Sequence, residues 1–131
     1  MDETINYLRK IAPKNVEFTG FVKNAGKSPF LTSAKAYVQP SYYESFGCSV
    51  AEAMLQGCVP VVTTRGALPE VVGDTGFYVQ YNSPQSIAMG INEAINSDAK
   101  EGERARQRII DEFPIEKRSR HILRIVDEVI I

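Results

Sequence analysis

Apolar residues recur along this chain in two rhythms, and the rhythms mark its elements. Ile5, Leu8, Ile11 and Ala12 fall at helical spacing and Pro13 stops the run, so a helix is expected over 3–12. The β-branched and aromatic stretch "NVEFTG" predicts a short strand over Val16–Thr19, closed by Gly20. Ser28 as N-cap and Pro29 at the first helical position predict a short helix over 28–35. "AYVQP" predicts a strand over Ala36–Gln39, ended by Pro40. A helix over Cys48–Gln56 should stop at Gly57. "VPVVTT" shows no polar alternation, as a strand covered on both faces requires. A helical turn over Leu68–Val72 leads to Gly73, and "GFYVQ" predicts a fourth strand. Helices over 84–96, 99–112 and 114–130 complete the chain, with the last break at Phe113-Pro114.

Strands alternating with helices predict an α/β class with a Rossmann-like parallel sheet. Such a domain usually opens on a strand and a glycine-rich phosphate turn. This chain opens on a helix and carries no GxGxxG or Walker-type loop, so it reads as a partial domain whose front is missing.

Composition narrows the picture. The 131 residues suffice for one domain with a real core. Fifteen Lys and Arg against sixteen Asp and Glu give no global attraction to nucleic acid or to an anionic membrane. No apolar run approaches a membrane span, and the start lacks the pattern of a secretory signal. Cys48 and Cys58 make no disulfide framework and no zinc spacing; they read as free thiols of a cytoplasmic protein.

The candidate chemistry lies in "PSYYESFGCSVAE". Ser41–Phe46 form the loop at the carboxyl end of a parallel strand, where open α/β sheets bind ligands. Gly47 permits close backbone approach, and the helix starting near Cys48 aims free N–H groups at the same point, which suits a phosphate. Glu44 precedes the turn, and Glu52 lies about 6 Å along the helix. Acids beside an anion must face its neutral, hydroxyl-rich parts, and a nucleotide diphosphate sugar meets that demand. The bland alternative is a solvated loop acid at 44 and a backbone-satisfying acid at 52.

The same residues carry a family resemblance. "ESFGCSVAE" resembles the EX7E signature of retaining GT-B glycosyltransferases, family 4, also called glycosyltransferase group 1. "NVEFTGFV", "AYVQPSYYESFGCSVAEAMLQGCVPVVTT" and "GALPEVVGDTGFYV" are similar to that family's donor half in order and spacing, over roughly residues 5–112. The resemblance implies the C-terminal, donor-binding half-domain, and a parent that transfers a hexose to a glycan, lipid or small acceptor. It implies Glu44, the catalytic candidate, on hydroxyls of the transferred sugar and Glu52 on the ribose. Ser45 and the backbone N–H groups of Phe46, Gly47 and Cys48 would meet the sugar and diphosphate. Phe21 and Val22 would hold the nucleobase. No metal or other cofactor is implied.

Departures from the family matter equally. Its basic pair for the diphosphate lies on segments preceding this sequence; Lys23, Lys27 and Arg65 are candidate substitutes, though each also reads as a solvated surface charge. The acceptor-binding domain is absent, so the chain alone is expected to be inactive. The helix over 114–130, with Ile115, Ile122, Ile125, Val126 and Val129 in a stripe, would pack toward that absent domain. Peripheral membrane association of the parent stays open. Tyr42 and Tyr43 either shape a pocket floor or pack; His121 reads as a surface residue. Other function classes remain: a non-catalytic nucleotide-sugar binding module, a hydrolase using Glu44 and Glu52 as acid and base, or an interaction protein without a ligand. An exposed sheet edge should favour self-association. Light scattering is expected to show dimers or larger species; a clean monomer across concentration would count against this.

Overall fold

Five consecutive buried residues, Val59–Thr63, form the strand on which the fold is built. The computed structural model describes residues 3–130. In chain order the elements are α1 (Glu3–Ile11), α2 (Asn24–Ser33), β1 (Ala36–Gln39), α3 (Cys48–Leu55), β2 (Val59–Thr63), α4 (Leu68–Val72), β3 (Phe77–Val79), α5 (Pro84–Asn96), α6 (Ala99–Glu112) and α7 (Ile115–Val129). The strands make one parallel sheet in the order β1-β2-β3. The class is α/β, as the alternation of elements requires.

Alternate residues of β2 face opposite layers. Val59 and Val61 meet Val79, Ala94, Ile87 and Ile91, beneath α5. Val62 meets Val50, Met54, Leu68, Val71 and Ile109, beneath α3, α4 and α6. Burying a side chain such as Met54 or Leu68 contributes about 1.5–3 kcal/mol. Pro60 sits in the central strand without breaking it. The Val59 N–H donates to Lys35 O on the β1 side, so position 60 faces β3, whose pairing begins only at Val61. Arg108 ties α6 to α4 within one layer: its guanidinium donates to Val71 O at 2.9 Å and Glu70 O at 2.7 Å, satisfying carbonyls at the end of α4.

Two expectations fail. Val16–Thr19 is not a strand, so the sheet has three strands rather than four. A strand exists only through a hydrogen-bonded neighbour, and no strand among the described residues pairs with this segment; Val16 and Phe18 stay exposed. Nor does the second helix begin at Ser28. It begins at Asn24, after an extended Lys23, and Pro29 lies inside it. Losing one hydrogen bond there costs less than abandoning the whole first turn, and Thr32 Oγ1 and Ser33 Oγ return bonds to Ser28 O and Pro29 O.

On the side away from β2, β1 has no paired strand among the described residues. Neither α1 nor α7 buries a residue; the apolar stripe of α7, with Leu123 added to it, is exposed throughout.

Candidate functional site

Two parallel strands end side by side, and their ends clamp the loop that carries Glu44. At the end of β1, the Gln39 Nε2 group donates to Glu44 Oε1, and Ser41 Oγ donates to the same oxygen at 2.9 Å. At the end of β2, Thr63 Oγ1 donates to Ser41 O at 2.7 Å. Farther on, the Ala67 N–H donates to Glu44 O at 2.9 Å. One carboxylate oxygen of Glu44 is thereby fixed, while the other has no hydrogen-bond partner among the described residues. A half-buried acid held in this way presents a single oriented acceptor.

The chain then turns through Gly47, which is buried with φ of 92°. That left-handed backbone caps α3 without a side chain, so the first N–H groups of the helix remain open. Glu52 lies in the second turn of α3, in a cleft of about 360 Å3 whose lining also includes Val22, Lys27, Leu31, Tyr37 and Ser49. Lys27 Nζ stands 3.5 Å from Glu52 Oε2, with both side chains substantially exposed. Such a pair contributes at most about 1 kcal/mol and yields readily to a better partner.

Tyr37 links the two acids. Its hydroxyl donates to Gln39 Oε1 at 3.0 Å, and Gln39 in turn holds Glu44. Burial pushes the Tyr37 phenol above its ordinary value; a hydrogen bond with Ser49 acts the other way, and the Glu52 and Glu44 carboxylates add to the rise. Buried Cys58 is likewise pushed up by burial, and its Sγ donates to Leu31 O at 3.1 Å.

The expected site residues divide. Val22 and Glu52 reach one cleft, together with Ser49 from the start of α3, whereas Glu44 and Gly47 are not among its lining residues. Phe21 is 92% exposed and does not line the Glu52 cleft. Ser45 and Cys48 are exposed. The Phe46 ring packs edge-on against Phe113 at 5.5 Å, anchoring the loop to the α6–α7 junction. Lys23 and His121 are exposed, and so is Tyr43. Tyr42 packs against Tyr81 and Arg65. The reading from sequence missed Gln39, Ser41 and Thr63 as supports of Glu44. Tyr37 and Gln39 share one face of a strand at i and i+2, which is the signal that would have found them.

Residues 7–112 match the family described as Glycosyl transferases group 1. The chain belongs to this family. It is 32% identical over 84 residues to O-antigen chain mannosyltransferase B of Escherichia coli, covering 64% of this chain and 22% of that protein. Similarity to alpha-maltose-1-phosphate synthase of Mycolicibacterium smegmatis is 36% identity over 94 residues, 63% of this chain and 24% of that one. The chain thus spans under a quarter of the length of these two relatives. Among solved structures, sucrose-phosphate synthase from Thermosynechococcus elongatus superposes with a TM-score of 0.81 at 23% identity, over 95% of this chain and 33% of its own. That likeness shows the fold: this glycosyltransferase chain has the architecture of part of a GT-B enzyme.

Proposed function

We propose that this chain is the donor-binding part of a retaining glycosyltransferase that takes a nucleotide diphosphate sugar. The observation that carries the reading is an uncapped helix start with one acid in the loop before it and a second acid in its second turn. Glu44 offers one oriented oxygen beside the turn, and Glu52 lines the cleft beyond it. A diphosphate at the N–H groups of α3 would put a sugar on the Glu44 side and a ribose at Glu52. Val22, Tyr37 and Leu31 then form the apolar wall for the base. Phe21 contributes backbone only, since its side chain faces solvent.

In this reading Glu44 is the catalytic residue. Its carboxylate orients the hexose while the helix start and backbone stabilise the departing nucleotide diphosphate. Transfer also needs an acceptor domain, so the chain alone binds donor without turnover. The reaction belongs in the cytoplasm, with no metal assigned to the diphosphate. A glycan, lipid or small acceptor receives the hexose. The unpaired edge of β1 is the surface through which the isolated chain would self-associate.

The test is calorimetric titration of this chain with uridine, guanosine and adenosine diphosphates and their sugars. Saturable binding of one series is expected, weakened about tenfold or more by Glu52→Ala through loss of charge-assisted bonds to the ribose. Binding that ignores this substitution would remove Glu52 from the site.

A further inference from the structure

A second cleft, about 550 Å3, opens at the carboxyl ends of β2 and β3 and shares no lining residue with the Glu52 cleft. Its walls include Thr63, Thr64, Arg65, Gln80, Tyr81 and Ser86. Three successive strand ends each send one residue to its rim: Tyr42 after β1, Arg65 after β2 and Tyr81 after β3. The two tyrosine rings meet edge-on at 5.2 Å. The Arg65 guanidinium carbon lies 4.7 Å from the Tyr42 centroid and 5.1 Å from that of Tyr81. Among the described residues no carboxylate pairs with Arg65.

An arginine held by aromatic rings keeps its in-plane N–H donors for a partner, and its planar fork matches phosphate oxygens. The tyrosines also restrict the side chain, so less freedom is lost when a ligand binds. Thr64 adds a hydroxyl beside the cation. The remaining polar wall, Gln80 and Ser86, suits a hydroxyl-rich body rather than an apolar one. The cleft falls within the size of small-molecule sites, about 300–1,000 Å3.

We propose that this cleft is an anion subsite in which Arg65, bracketed by Tyr42 and Tyr81, takes the phosphate monoester of a soluble phosphorylated sugar. The proposal rests on the glycosyltransferase reading: the cleft opens at the same carboxyl end of the sheet as the Glu44 loop and would hold only the phosphate end of an acceptor whose main binding surface is the acceptor domain. Two bonds couple the cleft to that loop, Thr63 Oγ1 to Ser41 O and the Ala67 N–H to Glu44 O. A ligand anchored on Arg65 therefore sits on the same rigid support as Glu44.

The experiment titrates this chain with glucose 6-phosphate, inorganic phosphate and glucose, and separately with the nucleoside diphosphate that it binds. Glucose 6-phosphate is expected to bind saturably, with inorganic phosphate competing and glucose weaker by about tenfold or more. Arg65→Ala should abolish glucose 6-phosphate binding. Arg65→Lys keeps charge and stem but loses the fork, and should weaken it by about threefold to tenfold. Nucleoside diphosphate binding should be unchanged in both variants, which also shows that they are folded. Equal binding of glucose and glucose 6-phosphate would overturn the anion subsite, as would indifference to both substitutions. A parallel loss of nucleoside diphosphate binding would assign Arg65 to the donor instead. Phosphate binding seen only with phosphatidic acid vesicles would overturn the soluble-sugar assignment. A failure of the donor reading shows in the nucleoside diphosphate titration alone, so the two remain distinguishable.

Discussion

Gly66→Ala is expected to lower stability by about 2–5 kcal/mol, combining left-handed backbone strain with forced overpacking. Gly66 has φ of 59°, and a β-carbon there would run into the carbonyl oxygen, nitrogen and carbonyl carbon of Glu44. Those atoms cannot retreat freely, because the Ala67 N–H holds Glu44 O and the Glu44 carboxylate is held by Gln39 and Ser41. The strain therefore passes to the acid itself, and activity should fall with stability. Gly57→Ala supplies the comparison. Gly57 has φ of 86° but nothing lies within 4 Å of its added carbon, so only the backbone term of about 1–2 kcal/mol remains. Urea unfolding of the two variants measures the difference. Equal costs would mean that the Glu44 loop gives way without resistance.

The second large effect falls on catalysis. On the proposed function, Glu44→Ala should lower kcat of a glycosyltransferase built on this donor-binding part by about 10²–10³, the loss typical of removing one oriented electrostatic contact at a reacting centre. Stability should move by less than about 1 kcal/mol, because the groups freed by the change, the Gln39 amide and Ser41 hydroxyl, are within reach of water. Glu44→Gln keeps the shape but not the charge, and should recover little activity. Gln39→Ala leaves the acid in place but unheld, so an intermediate loss is expected. Steady-state kinetics beside a thermal melt separates these outcomes. A Glu44→Ala enzyme with unchanged kcat would remove the acid from the reaction. Activity lost only in step with unfolding would make it a structural residue.

Most of the elements were legible because local pattern and tertiary demand agree in them. β1 spans the predicted residues Ala36–Gln39, α4 spans Leu68–Val72, and α5 and α6 begin and end where expected. Their caps explain the accuracy: Ser83 Oγ accepts from the Ser86 N–H, and Asp98 Oδ1 accepts from the Lys100 N–H. Where the reading failed, the decisive partner was not local. "NVEFTG" has strand composition, but composition cannot supply a neighbour across a ladder. Ser28 and Pro29 look like a helix start, yet the helix runs through both of them.

By itself the sequence determined the class and the family, and it marked the two acids as candidates. Buried strands without polar alternation require helices on both faces, and eight residues from Glu44 to Glu52 carry the second acid into the helix after the turn. The tertiary structure alone decided what surrounds them. Gln39, Ser41, Thr63 and Ala67 converge on Glu44 only because two parallel strands end side by side. Arg65 reads as one more surface cation until the order β1-β2-β3 brings Tyr42 and Tyr81 against it. The physical reason is separation along the chain: periodicity and capping are set within a few residues, whereas contacts between strand ends exist only once the sheet has formed.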